Sequence, residues 1–232
     1  MAKTFHIAII PDGNRRWAKK HGIRGYGKLY DIAINSLVDI AEEAFEQNVT
    51  HLTMWGSSHA NLADRSGAFF KGIDKAFREN IHRFSEHPVI EKHDVRINII
   101  GEWRSSLTPK TIEAFEQAMQ KTSHHKSREL TLLIDYSGDR ERTDAIKSII
   151  KNPKGNPEEL LREHSWTGHL PDVDLVIRTG SWQDPHNSAG FLSLLVDESQ
   201  LYLPKLYWPD FTPSELKKAL DDYHSRQRRH GK

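Results

Sequence analysis

Short runs rich in isoleucine, leucine and valine alternate with longer amphipathic stretches along nearly the whole chain, and this alternation constrains the fold most strongly. Each run has the length and composition of a strand buried in a parallel sheet. The runs lie at residues 5–10, 49–55, 95–101, 130–135, 173–177 and 191–196. The stretches between them have helical spacing and lie at residues 30–47, 66–84, 109–122, 140–151 and 157–164. Because strand and helix alternate, we expect an α/β fold with a largely parallel sheet.

The last predicted helix has the clearest start signals. Thr212 is a suitable N-cap, Pro213 occupies the first helical position, and Glu215 completes a capping box. No internal repeat or interdomain linker interrupts the pattern. We therefore expect residues 1–232 to form a single domain, with a basic tail at residues 225–232.

The composition excludes several classes of protein. Hydrophobic residues make up 37% and charged residues 28% of the 232 residues, a balance typical of globular proteins. The absence of cysteine excludes disulfides and thiolate chemistry, and a net charge of +1 argues against a nucleic-acid-binding protein. No apolar run approaches the roughly 18 residues of a membrane-spanning helix. With no signal-peptide pattern at the N-terminus, we expect a cytoplasmic protein with at most peripheral membrane contact.

The segment after the first predicted strand has the features of a phosphate site. Asp12 and Gly13 form a turn, and Asn14, Arg15 and Arg16 open a helix whose first N–H groups are free to bind an anion. The arginines add forked donors that match phosphate oxygens. Asp12 would repel an anion unless a divalent cation lay between them, and Mg²⁺ binds in this way. Turn chemistry alone explains the Asp, Asn and Gly equally well.

Two further cationic elements accompany this segment. Arg24 and Lys28 flank glycines that permit close backbone approach, and Arg178 directly follows the predicted strand at 173–177. Ligands of parallel α/β sheets bind beyond the carboxyl ends of the strands. The three elements together favour a diphosphate or a similar polyanion as substrate.

The chain contains five segments whose order and spacing resemble those of the cis-prenyltransferases, the undecaprenyl diphosphate synthase family. They are HIAIIPDGNRRWA at 6–18, the pair LTL and YSG at 130–132 and 136–138, VDLVIRTG at 173–180, WPDF at 208–211 and RQRRHG at 226–231. The resemblance implies a homodimeric α/β protein with a six-stranded, mostly parallel sheet and a hydrophobic tunnel for the prenyl chain. It also implies that the tail at 229–231 reaches across the dimer.

The same resemblance assigns roles to individual residues. Asp12 matches the main catalytic residue, which holds Mg²⁺, and Asn61 matches an asparagine near the ionising carbon. Arg178 matches the arginine that binds isopentenyl diphosphate, the usual acceptor. The allylic diphosphate is expected on Gly13, Asn14, Arg15, Arg16, Arg24 and Lys28, and the substrate pocket is expected to include Trp17, Ser58, His59, Leu62, Arg65, Asn187 and Ser188.

The acceptor half of the site departs from the family pattern. That pattern is Arg-Thr-x-Gly-Glu-x-Arg-x-Ser-x-Phe, whereas residues 178–191 of this chain read RTGSWQDPHNSAGF. Aligned on Phe191, the second arginine becomes Asn187 and the serine becomes Ala189, with Ser188 beside it. The glutamate that usually binds the metal falls near Gln200, although residues 197–198 are acidic and leave this alignment open. An asparagine replaces neither the charge nor the fork of an arginine.

Changes also surround the allylic half. The usual Phe-Ser-x-Glu-Asn-Trp-x-Arg-Pro becomes SSHANLADR at residues 57–65, which keeps Asn61 but places Leu62 in the tryptophan position and displaces the arginine to Arg65. Lys28 replaces a histidine and keeps a cation. The first diphosphate site is thus retained and the second rebuilt.

These departures favour a prenyltransferase with a non-standard acceptor, such as a second allylic diphosphate joined head-to-middle. The alternative is a cyclase or diphosphate lyase acting on one prenyl diphosphate, with His59, Tyr202 or Tyr207 as base or cation-stabilising group. Ordinary chain elongation with isopentenyl diphosphate and a catalytically silent binding subunit are the remaining alternatives. The 14 histidines show no metal-ligand spacing, and we expect the pair at 124–125 to lie on the surface.

Overall fold

The part of the chain that this computed structural model describes, residues 4–62 and 67–226, contains six strands, ten α-helices and a 3-10 helix at Trp208–Asp210. The strands are β1 (His6–Ile10), β2 (His51–Trp55), β3 (Val95–Ile100), β4 (Arg128–Leu133), β5 (Leu175–Arg178) and β6 (Gln200–Tyr202). The helices are α1 (Asn14–Lys20), α2 (Tyr26–Glu46), α3 (His59–Leu62), α4 (Ala68–Ser85), α5 (Pro88–Lys92), α6 (Trp103–Ser106), α7 (Pro109–Thr122), α8 (Gly138–Lys151), α9 (Pro157–His164) and α10 (Pro213–Ser225).

The strands form one sheet in the order β3-β4-β2-β1-β5-β6, and every pair is parallel. The predicted six-stranded α/β fold is therefore confirmed. The chain places β2, β3 and β4 on one side of β1 and then returns to place β5 and β6 on the other side. At such a switch in strand order, a crevice forms beyond the carboxyl ends of the strands. The register pairs Ile10 with Arg178, which places that arginine beside the residues that follow β1.

Both faces of the sheet are covered, and β1 is buried along its whole length. Ile7 and Ile9 pack into the larger hydrophobic cluster, together with side chains of α2, α4, α7 and α10. Ala8 and Ile10 face the smaller cluster on the other side. A strand covered on both faces needs apolar residues at successive positions, which explains the continuous apolar run.

Five of the six apolar runs correspond to strands, and the run at 191–196 does not. Phe191, Leu192 and Leu195 are buried in the smaller cluster, but the segment consists of turns and Leu192 has a left-handed φ of 45°. The sixth strand is β6 instead, which pairs with β5 at the sheet edge and keeps Leu201 exposed. Because β6 is only three residues long and is not fully buried, its sequence has no continuous apolar run from which a strand could be predicted.

The five helices with predicted bounds, α2, α4, α7, α8 and α9, begin and end close to them, and α7 and α9 match them; the short helices α3, α5 and α6 were not predicted. Thr212 occupies the N-cap position of α10, but its Oγ1 lies 2.9 Å from Ser214 Oγ rather than on the helix backbone, and Glu215 pairs with Lys218. The predicted capping box is therefore wrong. No helix within the described ranges is long and apolar enough to cross a membrane. Most of the predicted tail, residues 227–232, lies outside the described residues.

Candidate active site

The turn after β1 is pinned to the turn after β5. Thr179 Oγ1 donates a 2.8 Å hydrogen bond to the carbonyl oxygen of Asp12, and the backbone N–H of Trp208 donates one of 3.0 Å to the same oxygen. These bonds fix the backbone of Asp12 at the carboxyl edge of the sheet. Its side chain is thereby held at the mouth of the crevice, where it is 35% exposed.

Gly13 is required where the turn enters α1. Its φ of 95° lies in the left-handed region, and a Cβ at this position would stand 2.4 Å from Cδ1 of Tyr207. An L-residue would thus be both strained and in collision with an aromatic ring. The close approach lets the chain turn into α1, so that Arg15 and Arg16 follow Asp12 directly on the wall of the crevice.

Two arginines from distant parts of the chain hold the Asp12 carboxylate. Its Oδ1 lies 3.1 Å from Nη2 of Arg16, and its Oδ2 lies 3.0 Å from Nη2 of Arg178. Arg178 is 5% exposed, and its Nη1 also donates to the carbonyl oxygen of His186 at 2.7 Å and to Ser188 Oγ at 2.8 Å. Its buried Nε has no hydrogen-bond partner within the described structure. A buried donor without a partner is costly, so an anion at this point would be stabilised.

These groups line a cavity of about 610 Å³ at the carboxyl ends of β1, β2 and β5. One side is cationic, with Arg15, Arg16 and Arg178, and Asp12 is the carboxylate among the described lining residues. Other parts of the wall are apolar and aromatic, with Tyr30, Trp55 and Phe69. The full lining is Ile10, Pro11, Asp12, Gly13, Asn14, Arg15, Arg16, Tyr30, Trp55, Gly56, Ser57, Ser58, Asn61, Phe69, Ile73, Arg178 and Ser188.

A cavity with a cationic end and an apolar wall suits an amphiphilic anion, and the comparisons with known proteins agree. Residues 10–231 match the family model described as putative undecaprenyl diphosphate synthase. The chain belongs to this family of prenyltransferases. A Pyrococcus horikoshii protein named tritrans,polycis-undecaprenyl-diphosphate synthase (geranylgeranyl-diphosphate specific) is 32% identical, over 98% of this chain and 86% of its own. A Streptococcus pyogenes isoprenyl transferase is 34% identical, over 98% and 92%.

Solved structures share the fold. The lavandulyl diphosphate synthase of Lavandula x intermedia, in complex with dimethylallyl diphosphate, superposes with a TM-score of 0.87 at 24% identity and covers 98% of both chains. A probable undecaprenyl diphosphate synthase from Campylobacter jejuni gives a TM-score of 0.74 at 24% identity over both full chains. The six-stranded fold of this prenyltransferase is thus the fold of these enzymes.

Nine of the predicted site residues line the cavity of the prenyltransferase. They come from the turn after β1 and the start of α1, from the residue before α3 and α3 itself, and from the end of β5 and the loop after it; they are Asp12, Gly13, Asn14, Arg15, Arg16, Ser58, Asn61, Arg178 and Ser188. Asn61 is oriented by its neighbour, since its Oδ1 accepts hydrogen bonds from the backbone N–H and the Oγ of Ser58, at 3.2 and 2.9 Å. These residues are far apart in the sequence, and the topology of the sheet brings them together at one cavity.

Other predicted pocket residues have different partners. Leu62 is 2% exposed within the larger core cluster, and Trp17 donates from Nε1 to Asp210 at 2.7 Å and stacks on His21. Neither side chain lines the cavity, and their place in the substrate pocket stays a prediction. Asn187 is exposed on the loop after β5 and donates to the carbonyl oxygen of Phe191 at 3.2 Å.

His59 lies beside the cavity rather than on its wall. Its Nδ1 lies 2.8 Å from Oδ1 of Asp135, which is fully buried and also bonds Ser106. Arg24 and Lys28 are exposed at the start of α2. They stay predicted diphosphate ligands, and Arg65 lies outside the described residues.

Sequence reasoning missed the aromatic wall. Tyr30 and Phe69 stand edge to face with ring centroids 5.6 Å apart, and Trp55 ends β2 at the carboxyl edge. Burial raises the pKa of the Tyr30 phenol far above its usual range, so the side chain stays neutral despite the opposing effect of nearby Arg15. In the sequence, the position of Trp55 at the end of a predicted strand was the signal from which part of this wall could have been predicted.

A smaller apolar cavity of about 40 Å³ lies between α2, α4 and the sheet. Gly56 lines both this cavity and the large one, and the other walls include Phe77 and Ile134. Gly56 is thus a wall residue of both spaces, and the hydrophobic tunnel implied by the resemblance stays a prediction. The apolar walls suit a hydrocarbon chain whose charged end lies at Arg16 and Arg178.

The oxygen donors near the arginines fit Mg²⁺. Asp12 offers a half-exposed carboxylate, and Oδ1 of Asn14 is buried in the same cavity without a hydrogen-bond partner in the described structure. Mg²⁺ prefers oxygen ligands and commonly takes one or two carboxylates together with substrate phosphates. When bound, the ion would supply positive charge to a departing diphosphate.

Proposed function

We propose that this prenyltransferase ionises an allylic prenyl diphosphate with Mg²⁺ and transfers the prenyl group to an acceptor other than isopentenyl diphosphate. The observation that carries the proposal is the state of the acceptor loop, residues 178–191, in which Arg178 is the remaining cation on the cavity wall and is tied to its own loop. The donor half, by contrast, keeps Asp12, Arg15 and Arg16 on the cavity wall.

The donor half supports ionisation. In the reaction the bond between the allylic carbon and the diphosphate oxygen breaks, and the diphosphate leaves with the electron pair. Arg15 and Arg16 stand at the end where this negative charge develops, and fixed charges in such a position lower the barrier because they need no reorganisation. Tyr30, Trp55 and Phe69 give the allylic cation an aromatic, water-poor surface.

The acceptor half supports a changed co-substrate. Where the family pattern has a second arginine, Asn187 is exposed and bonded to its own loop. The alignment on Phe191 puts the pattern's metal-binding glutamate near Gln200, whose Oε1 lies 3.2 Å from Nη1 of Arg226. Neither Gln200 nor the acidic residues 197–198 line the described cavity wall. An acceptor diphosphate would then meet one arginine instead of two and no second carboxylate, which weakens its binding.

A second allylic diphosphate is the acceptor we favour. Its double bond attacks the allylic cation, a carbon–carbon bond forms, and loss of a proton gives a branched diphosphate. The structural neighbour with a TM-score of 0.87 is named lavandulyl diphosphate synthase and was solved with an allylic diphosphate, dimethylallyl diphosphate. The small apolar cavity of about 40 Å³ also supports a short donor.

Incubation with each of dimethylallyl, geranyl, farnesyl and geranylgeranyl diphosphate tests the proposal. Every donor is run with Mg²⁺, alone and with isopentenyl diphosphate, while diphosphate release and product mass are followed. Release from one allylic diphosphate alone, with a product of two prenyl units, is the expected result. A product of one prenyl unit would instead establish the lyase alternative. Turnover that requires isopentenyl diphosphate would establish ordinary chain elongation and overturn the proposal.

The homodimer and the cytoplasmic location stay predictions. Ile146 and Ile150 lie one turn apart on α8 and are 51% and 71% exposed, an apolar surface that a second copy would cover. Light scattering of the purified chain should give twice the mass of 26.8 kDa.

A further inference from the structure

A cluster of metal-binding side chains lies at the end of the sheet opposite the cavity. Glu91 comes from α5, and His124 and His125 come from the turn between α7 and β4. One ligand atom of each lies within 4.8 Å of those of the other two. The turn precedes β4, whereas the cavity lies beyond the carboxyl ends of the strands, about 20 Å away for a six-residue strand. The cluster is therefore separate from the prenyltransferase site.

His125 is the central member of the cluster. The expectation that both histidines lie on the surface is wrong for this one, which is 4% exposed, whereas His124 is exposed. Its Nδ1 lies 2.7 Å from Oδ1 of Asp94, a carboxylate that can only accept, so Nδ1 carries the proton. The lone pair of the neutral ring is then on Nε2. That atom is buried and has no hydrogen-bond partner in the described structure.

Asp94 is itself held firmly in place. It accepts hydrogen bonds from the backbone N–H groups of Lys126 and Ser127, at 3.1 and 2.8 Å, and from Ser127 Oγ at 2.5 Å. The carboxylate thus fixes both the ring orientation and the tautomer of His125. A carboxylate that orients a histidine so that its other nitrogen faces outward is the usual second shell of a metal-bound histidine.

We propose that Glu91, His124 and His125 bind a divalent transition-metal cation, with Zn²⁺ as the preferred ion. Two imidazole nitrogens and a carboxylate oxygen are ligands that favour Zn²⁺ over Mg²⁺, which prefers oxygen alone. Binding would give the buried Nε2 the partner that it lacks. Glu91 and His124 are exposed, so their side chains are free to close on an ion held about 2.0 to 2.1 Å from each ligand.

The ion would act as a structural link. α5 precedes β3, and the turn at residues 123–127 precedes β4, the strand that pairs with β3. A cation joining Glu91 to the two histidines would fasten this end of the sheet without touching the cavity. The competing explanation is a metal-free ion pair, in which a protonated His125 lies between Asp94 and the Oε1 of Glu91, 3.4 Å from Nε2.

Metal titration of the full chain distinguishes the two explanations. After treatment with a chelator, the protein is titrated with Zn²⁺ against a chromophoric competitor, and the thermal unfolding midpoint is measured with Zn²⁺ and with Mg²⁺. We expect one tight Zn²⁺ site per chain and a higher midpoint with Zn²⁺ but not with Mg²⁺. Co²⁺ at the same site should give the visible bands of a low-coordinate complex.

Variants of exposed residues keep the test independent of folding. Glu91→Gln and His124→Ala should each remove the tight site, and Asp94→Asn, which suits the φ of 52° at this position, should weaken it about 10- to 100-fold. His82→Ala, an exposed histidine of α4, is the matched control and should bind as the parent does. Equal Zn²⁺ binding by the parent, Glu91→Gln and His124→Ala, or none in the parent, would overturn the proposal in favour of the ion pair.

Discussion

The Oδ2 atom of Asp12 lies 3.0 Å from Nη2 of Arg178, although 166 residues separate them in the chain. The pair joins the turn after β1 to the end of β5, and so connects the predicted diphosphate-binding segment to the proposed acceptor loop. Because Arg16 holds the other carboxylate oxygen at 3.1 Å, Asp12 is oriented before any substrate arrives. A metal ion and a diphosphate that bind here must therefore either share the charged groups of these two ion pairs or replace one partner in each.

Asp12→Asn should abolish turnover while leaving the fold intact. The substitution keeps the shape of the side chain but removes the charge that would hold Mg²⁺, and loss of one such electrostatic group commonly lowers kcat by about 100- to 1000-fold. Diphosphate release at saturating Mg²⁺ measures the effect, and circular dichroism checks the fold. Asp139→Asn, which removes an exposed carboxylate of α8, is the control. Full activity of Asp12→Asn would contradict the assignment.

Arg178→Lys should impair activity even though the charge is kept. The guanidinium divides its donors among Asp12, the carbonyl oxygen of His186 and Ser188 Oγ, and a single ammonium cannot make this set of bonds. We expect a rise of about 10-fold or more in the KM of the acceptor, since loss of one charge-assisted hydrogen bond corresponds to about 1.5 to 3 kcal/mol.

The control for this variant is Arg104→Lys, at an exposed arginine paired with Glu116 away from the cavity. Its kinetic constants should equal those of the parent. An unchanged acceptor KM in Arg178→Lys would show that Arg178 serves the loop and not the substrate.

Asn187→Arg should raise the use of isopentenyl diphosphate. The side chain is exposed on the acceptor loop beside Ser188, so an arginine can be accommodated and would restore the second forked cation of the family pattern. The measurement is the ratio of products formed with and without isopentenyl diphosphate. Asn152→Arg, at an exposed position after α8, adds the same charge far from the loop and should leave the ratio unchanged. An unchanged product ratio in Asn187→Arg would show that the residue at position 187 does not determine the use of isopentenyl diphosphate.

The donor half of the site could be predicted because it lies on one continuous segment. The apolar run of β1 ends where Asp12, Gly13 and the arginines begin, and the carboxyl end of β5 presents Arg178 beside them. A strand that is buried on both faces has a continuous apolar sequence, and the residue after it lies at the ligand-binding edge. Periodicity and position indicated where this segment lies, and the family resemblance assigned the roles of its residues.

The aromatic wall and β6 could not be predicted in this way. Tyr30 and Phe69 come from two different helices, and their meeting depends on the angle between α2 and α4, which no local pattern encodes. β6 is short and lies at an edge, so its residues need not be apolar. The run at 191–196 misled because buried turns and buried strands have the same composition when judged by hydrophobicity alone.

Gly56→Ala should narrow the range of donors. A Cβ at Gly56, which lines both the large cavity and the small apolar one, would lie 2.4 Å from Cδ1 of Ile134 and 3.6 Å from Cε1 of Phe77. The kcat/KM of long donors should fall relative to that of dimethylallyl diphosphate, because only the distal end of a long donor would extend to the small apolar cavity. Gly27→Ala, with no atom within 4 Å of its Cβ, is the control. An equal loss for short and long donors would indicate a folding defect instead.

His6 should make the fold sensitive to mild acid. Its ring is fully buried in β1, with Nδ1 2.8 Å from the carbonyl oxygen of Pro171 and Nε2 2.8 Å from Thr53 Oγ1. Burial lowers the pKa of this histidine from 6.5 to about 4, an effect that its hydrogen bond to Pro171 opposes. The neutral ring satisfies both contacts, since Nδ1–H donates and Nε2 accepts.

The sign of the pH dependence follows from the lowered pKa of His6. Between pH 6.5 and about 4 the unfolded chain binds a proton at His6 that the folded chain does not, so the free energy of unfolding falls as the pH falls. The full effect corresponds to about 3 kcal/mol at about 1.4 kcal/mol per pKa unit. Urea unfolding at several pH values measures it. The slope of His6→Gln should be shallower over this interval, whereas that of His82→Ala, an exposed histidine, should match the parent. Identical slopes for the parent and His6→Gln would show that carboxylates alone set the acid sensitivity.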